Sequence, residues 1–312
     1  MNTRSDLVGC FIDVGDGHEL YTEVTGNGVP VVFLHGGPGS GFRPEQKSLF
    51  DPARYRTVFY DQRGAGRSRP HRDLYANTTD HLVEDLETIR ITMGHDRWIV
   101  VGGSWGATLA LAYAERHPER VAGLVLRAVF LGTRRELDQA FLETPRAFRP
   151  GLVDTFLSLL TKRERDDPLA AYWRRILDPD SAVNGPARWA WHDTERILSE
   201  IAPAATAIEI RKGPFDTTPA TPLFEAHYFA NDSFLKPDQL IAEASRLAGI
   251  PGTIVQGRYD LLCPPSSSAA LAARWPDAEV VIVEKAGHAM SEPGIREAMV
   301  KALDDVTSRA RF

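Results

Sequence analysis

Cysteine is nearly absent: the 312-residue chain holds two, Cys10 and Cys263, far apart. That scarcity argues against a disulfide scaffold and for two free thiols in a reduced, cytoplasmic protein. Long apolar runs are missing too, with no stretch near the roughly 18 uninterrupted apolar residues of a membrane span. The opening segment MNTRSDLVGCFIDVGDGHEL is broken by charges and glycines and lacks the apolar stretch of a secretion signal. Neither sign of charge is concentrated. The net charge of -6 is spread along the chain, and short arginine clusters such as Arg134–Arg135 are flanked by acids. Nucleic acid and anionic membrane surfaces are therefore not expected partners. Also absent are internal repeats, low-complexity tracts, an H-E-x-x-H metal signature and a G-x-G pattern in a dinucleotide-binding context. Neither a metal nor a nucleotide cofactor is expected.

What is present is a sizeable apolar fraction, 43%, arranged in short β-branched runs. CFIDVG and ELYTEVTG alternate like a strand pair joined by a turn at Gly15–His18. VPVVFLH, RTVFYDQ, WIVVGGS and VAGLVLRAVF are apolar nearly throughout, as strands covered on both faces should be. Helical spacing appears in His81–Met93, through Leu82, Leu86, Ile89 and Met93, and again from Ser104 to about Arg116. From about Gly132 to Leu240 the strand runs vanish and the pattern is helical. IPGTIVQG and AEVVIVEKAG then read as two further buried strands, each followed by a helix. The expectation is an α/β fold with a mostly parallel sheet, its core formed by residues 1–131 and 241–312 and interrupted by a helical cap over 132–240.

Gly102-Gly103-Ser104-Trp105-Gly106 fits G-x-S-x-G at a strand-to-helix junction. Such a turn lifts a serine hydroxyl to the end of the sheet, beside helix amides that stabilise negative charge. A serine is a weak nucleophile without a base, and the base needs an orienting acid. Both follow in the required order, Asp260 after TIVQG and His288 after VVIVE. Asp277 and Glu284 are weaker candidates for the acid, since one reads as a turn before the last strand and the other as strand. His35, His71, His192 and His227 read as structural or surface residues. Donors for an oxyanion are expected from the N–H of Trp105 and, in the glycine-rich HGGPGSG loop after the third strand, from Gly37.

FLHGGPGSG, YDQRGAGRS, VGGSWGATLALAYA, GRYDLLCP and the late AGH closely resemble the prolyl aminopeptidases, or proline iminopeptidases, over nearly the whole chain. The resemblance implies an α/β-hydrolase fold with an inserted helical cap, a Ser104–Asp260–His288 triad and no cofactor. It implies that Glu195, in AWHDTE, and Glu225, in EAHYF, hold the substrate's charged N-terminus. Phe130 and Phe229 would wall the proline pocket, and Arg127, in RAVF, would be a counter-ion for the glutamates. The chain departs from the family where Thr194 replaces a tryptophan and where LGTRRELDQAFLE, after Phe130, has Phe141 as its single aromatic.

The implied substrate is a short peptide or an amino-acid amide with a free N-terminus. The leading expectation is a serine aminopeptidase releasing N-terminal proline through an acyl-enzyme. The alternatives are an amino-acid amidase or a broader aminopeptidase using the same residues. A carboxylesterase leaves the cap carboxylates without a purpose, and a non-catalytic binding module leaves the triad without one. Halide- and epoxide-processing relatives normally carry aspartate at the elbow.

Overall fold

A computed structural model describes residues 9–215 and 217–312; the first eight residues of the expected core lie outside that range. Eight strands form one sheet: β1 (Cys10–Asp13), β2 (Glu19–Thr25), β3 (Val29–Leu34), β4 (Tyr55–Tyr60), β5 (Trp98–Ser104), β6 (Val121–Val129), β7 (Gly252–Gly257) and β8 (Ala278–Val283). Their order is β1-β2-β4-β3-β5-β6-β7-β8. The β1–β2 and β2–β4 pairs are antiparallel, and every pair from β4–β3 to β7–β8 is parallel.

The parallel strands are apolar on both faces because both faces are covered. Val32, Leu34, Val100, Leu124 and Leu126 belong to one buried cluster, with α1 (Thr79–Thr92) and α2 (Trp105–Arg116). The alternate residues Val31, Phe33, Ile99, Val101 and Val125 belong to a second. That cluster is completed by Ile295, Met299, Leu303 and Val306 of the last helix, Ile295–Arg309. Period-2 alternation thus sorts one strand's side chains between two helix layers.

The final strand differs from its sequence expectation. Val280 and Val281 of β8 are 37% and 38% exposed, so this strand is an edge and not a buried one. The last helix packs mainly over β6 and β7 and reaches β8 only marginally. Glu284, read from sequence as strand, sits in the turn just past β8 and pairs with exposed Arg258 at 2.8 Å.

Sheet order also places the site. From β3 the chain moves to one side to make β4 and returns on the other side of β3 to make β5. At this switch point the loops leaving the carboxyl ends of β3 and β5 diverge and open a crevice. HGGPGSG and the Ser104 turn are those two loops. Between β6 and β7 the described residues form helices and loops: α3 (Arg134–Asp138), α4 (Thr144–Phe148), α5 (Pro150–Ser158), α6 (Pro168–Ile176), α7 (Ser181–Ser199), α8 (Thr221–Phe229) and α9 (Gln239–Ala242). A π-helical turn, Gln139–Glu143, links α3 to α4. Aromatic stacking ties the group together: Phe156 on Tyr172 at 3.9 Å and Phe141 on Trp191 at 4.2 Å.

Candidate active site

Ser104 ends β5 at φ 57°, ψ -126°, in the left-handed half of backbone space that a residue with a Cβ rarely occupies. The small neighbours are a packing requirement. A Cβ on Gly102 would meet the Gly106 carbonyl oxygen at 2.3 Å, and one on Gly106 would meet that of Leu34 at 2.3 Å. Strand and helix backbones touch here, and the hydroxyl is left facing the crevice. α2 begins at Trp105, so its first N–H groups have no intrahelical acceptor and point at the space above Ser104.

Asp260 lies in the loop after β7, fully buried. Its Oδ1 accepts from the N–H groups of Leu262 (3.0 Å) and Cys263 (2.8 Å), leaving Oδ2 to accept from His288 Nδ1 at 2.9 Å. His288 is held from three sides. Its ring meets Asp260, its backbone N–H donates to Ser199 O at 3.0 Å, and its carbonyl accepts from Arg127 Nη1. Ser104 and His288 line one cavity of about 480 Å³. Among the described residues no hydrogen bond joins the Ser104 hydroxyl to the His288 ring; Ser104 instead contacts the Cys263 thiol, which burial keeps protonated.

Arg127 stands apart from the expected counter-ion position. It packs against Gly103, where a Cβ would lie 2.8 Å from its Nε, and supports the His288 carbonyl. Among the described residues it makes no ion pair with Glu195 or Glu225. Burial lowers its pKa, with the Asp260 charge opposing that trend.

The loop after β3 is braced by His35, read from sequence as structural or surface, and by Gln62, which the sequence did not single out. His35 is fully buried and held neutral by desolvation. Its Nε2 accepts from Gln62 N–H at 3.0 Å, which fixes Nδ1 as the donor to Gly36 O at 2.9 Å. Gln62 donates through Nε2 to His35 O at 3.0 Å and accepts through Oε1 from the Trp105 indole N–H at 3.0 Å. One network therefore connects the residue after Ser104 with the loop containing Gly37. Both Gly36 and Gly37 line the Ser104 cavity. The glycine two places on is needed for a different contact: at φ +88°, a Cβ on Gly39 would lie 2.2 Å from the Phe224 ring. The only sequence sign of this brace was a histidine opening the loop and a Gln beside Asp61, neither diagnostic alone.

Two helices deliver the carboxylates. Residues four apart share a helix face, so α7 presents Trp191, Glu195 and Ser199 in line, and α8 presents Glu225 with Phe229. Glu225 Oε2 accepts from Trp191 Nε1 at 2.8 Å, and Glu195 faces Glu225 closely enough for the carboxyls to share a hydrogen bond. Burial, reinforced by the neighbouring carboxyl, raises Glu225 well above the usual carboxylate range. Glu195 is also raised by burial, with His288 opposing, and it lines the Ser104 cavity. Phe130 and Phe229 meet edge to face at 5.6 Å. They and Glu225 lie in the packed interior and not in the open cavity wall. Phe141 does not contribute to that wall; it stacks on Trp191 and so supports the indole that holds Glu225. Among the described residues no group of three or more His, Cys, Asp and Glu side chains is placed to hold a metal ion.

The profile of the alpha/beta hydrolase fold matches residues 29–294. A probable proline iminopeptidase of Leptolyngbya boryana is 41% identical over 290 residues, covering 92% of this chain and 90% of its own. The chain belongs to the proline iminopeptidase family of α/β hydrolases. A second member, the proline iminopeptidase of Xylella fastidiosa, is 43% identical over 294 residues, covering 93% of this chain and 94% of its own. An α/β fold family hydrolase from Bacillus anthracis superimposes with a TM-score of 0.66 at 16% identity, over 97% of this chain and 100% of that one. That likeness concerns the fold alone. No helix among the described residues is long and apolar enough to cross a membrane.

Proposed function

We propose that the chain is a serine aminopeptidase that releases N-terminal proline from peptides, with Ser104 as nucleophile, His288 as general base and acid, and Asp260 as the group that orients it. The observation that carries this reading is the adjacent Glu195–Glu225 pair, with Glu225 buried and Glu195 partly exposed on the Ser104 cavity. Two adjacent carboxyls, one of them buried, have one ready partner, a cation that restores the interactions lost with water. The protonated amine of a peptide's first residue is that cation, and it sets the next carbonyl over Ser104.

In the reaction, Ser104 Oγ attacks the carbonyl carbon of the first residue while His288 Nε2 takes its proton. Rotation of the serine side chain from Cys263 toward His288 makes that contact, as catalytic bonds commonly tighten only with substrate present. The N–H groups of Trp105 and Gly37 receive the developing oxyanion. The imidazolium gives its proton to the departing peptide amine, leaving prolyl-Ser104. Water, deprotonated by the same imidazole, attacks the ester and frees proline and Ser104.

Phe130 and Phe229 pack edge to face behind the open cavity wall, and the helical segment 132–240 acts as a cap that limits approach to chain ends. With two free cysteines, the working environment is a reducing cytoplasm. Phe130, Phe141 and Phe229 all stand outside the lining of the open cavity, which favours some tolerance of other first residues or of amino-acid amides.

Hydrolysis of proline, alanine and leucine anilides, with N-acetylproline anilide beside them, tests the proposal. Proline is expected to be fastest and the acetylated substrate inert. Equal rates for all three free amines would remove the proline preference but keep the chemistry. Turnover of the acetylated substrate would overturn the amine-binding role of the carboxyls.

A further inference from the structure

The deep end of the cavity is accounted for by the reaction, but its outer wall is not. Arg43, Arg196 and Arg296 line the same 480 Å³ space as Ser104 and His288. They converge from three segments. Arg43 precedes the 3-10 turn Pro44–Leu49 that follows the HGGPGSG loop, Arg196 follows Glu195 on α7, and Arg296 opens the last helix just beyond the His288 loop. Arg296 is fixed in place, its Nε donating to Ser48 Oγ at 3.2 Å and its Nη2 to Ser48 O at 2.9 Å. Arg196 reaches Glu200 at 3.1 Å on its exposed side. Among the described residues, Arg43 and Arg296 have no carboxylate partner. Glu45 is the one acid on this outer wall, since Glu195 belongs to the deep end. Three guanidiniums therefore line this space, two of them without a carboxylate partner among the described residues.

That space is where the leaving group must lie. With the first residue's amine at Glu195 and its carbonyl at Ser104, everything beyond the scissile bond occupies the remaining cavity. Its volume suits a ligand the size of a short peptide. An extended chain advances about 3.3–3.6 Å per residue, so one or two further residues end inside it.

On the aminopeptidase reading, we propose that Arg43 and Arg296, assisted by Arg196, form a carboxylate subsite for the leaving group. It favours substrates whose departing part carries a carboxylate, either the free C-terminus of a di- or tripeptide or an acidic side chain next to the scissile bond. Guanidinium suits this role because its planar fork binds carboxylate through paired hydrogen bonds and stays charged at any working pH.

The test compares kcat/KM for matched pairs: Pro-Gly against Pro-Gly amide, and Pro-Glu amide against Pro-Gln amide, with proline anilide as reference. Each is measured for the wild type, the Arg43→Gln/Arg296→Gln double variant and Arg296→Lys. Ratios taken within one protein cancel any general loss of folding or turnover. The wild type is expected to favour at least one carboxylate-bearing member by about 3- to 10-fold, mainly through KM, as partly exposed ion pairs do. The ratio should shrink in 1 M salt, where screening acts within about 3 Å. It should fall to about one in the double variant and be partly kept in Arg296→Lys. A preference for Pro-Gly alone assigns the subsite to the chain terminus, and one for Pro-Glu amide alone assigns it to the side chain. A wild-type ratio near one for both pairs, or a ratio unchanged in the double variant, overturns the subsite while proline anilide is still cleaved. If the wild type leaves proline anilide intact, the aminopeptidase reading itself has failed.

Discussion

At the scale of single residues, the site combines groups whose environments are set by opposite means. Asp260 accepts from two backbone N–H groups through one oxygen and from His288 through the other. Glu225 is buried against a second carboxyl with an indole N–H as its donor. Replacing Asp260 with Asn keeps the shape but presents the wrong hydrogen-bonding partner to Nδ1. Turnover of proline anilide should fall by about 10⁴-fold in kcat, with KM little changed, in steady-state kinetics. Glu225→Gln should act differently. Loss of a charged partner for the amine is expected to lower kcat/KM by about 100-fold or more, largely through KM. The same change should stabilise the free protein. A carboxyl with a raised pKa holds its proton in the folded chain after the unfolded chain has released it, so its contribution is lost as pH rises from about 4.3 toward the folded value. Glutamine escapes that loss, and its melting temperature at pH 8 should exceed that of the wild type.

At the scale of elements, the β5–α2 junction is the least forgiving point of the chain. Gly102→Ala and Gly106→Ala each drive a methyl into a backbone carbonyl that cannot rotate away. Each is expected to destabilise the fold by about 1–3 kcal/mol, read by urea denaturation, and to lower activity beyond the loss of folded protein. This junction was legible in the sequence because only small residues satisfy such an approach, and G-x-S-x-G states that constraint directly. The pairing of Asp260 with His288 was legible for a related reason: each follows a strand run, and strand ends are where the chain emerges beside the crevice. The oxyanion-loop brace was not, because the contacts of His35 and Gln62 depend on which strand lies beside β3. The role of Arg127 was hidden likewise, since its direction depends on where the His288 loop folds back. β8 was misread as buried because valine-rich periodicity reports strand formation and not how far a neighbouring helix reaches across it.

At the scale of the whole molecule, several buried acids make stability depend on pH. Burial raises Asp85 to about 6, against the pull of Arg63, and raises Glu115, at the end of α2, to about 9. Glu225 is raised as well. Above the unfolded carboxyl pKa the native chain therefore binds more protons than the unfolded one, and stability declines as pH rises from about 5 to 9. Glu164 acts in the opposite sense: Arg175 lowers it to about 2, so its modest contribution, screened by water at a partly exposed site, is lost only in acid. Thermal melting across pH should show a maximum on the acid side of neutrality, and Glu115→Gln should flatten the alkaline decline. A melting profile that rises from pH 6 to 9 would contradict this.

The strand order that creates the crevice was only partly legible. Alternation of strand and helix implied parallel pairing, yet the placement of β5 on the far side of β3 is a long-range choice that local pattern does not encode. That choice brings Ser104, Gly37 and, through α7 and α8, the two glutamates to one place. The most direct measurement of whether they act together is covalent trapping. A diphenyl phosphonate analogue of proline, carrying a free amine, is incubated with the protein and its adduct located by mass spectrometry of peptides. One adduct per chain is expected, on Ser104, formed in step with loss of activity, abolished in Ser104→Ala and slowed in Glu225→Gln. Loss of activity with the adduct on any other residue, or full activity with Ser104 modified, would contradict it.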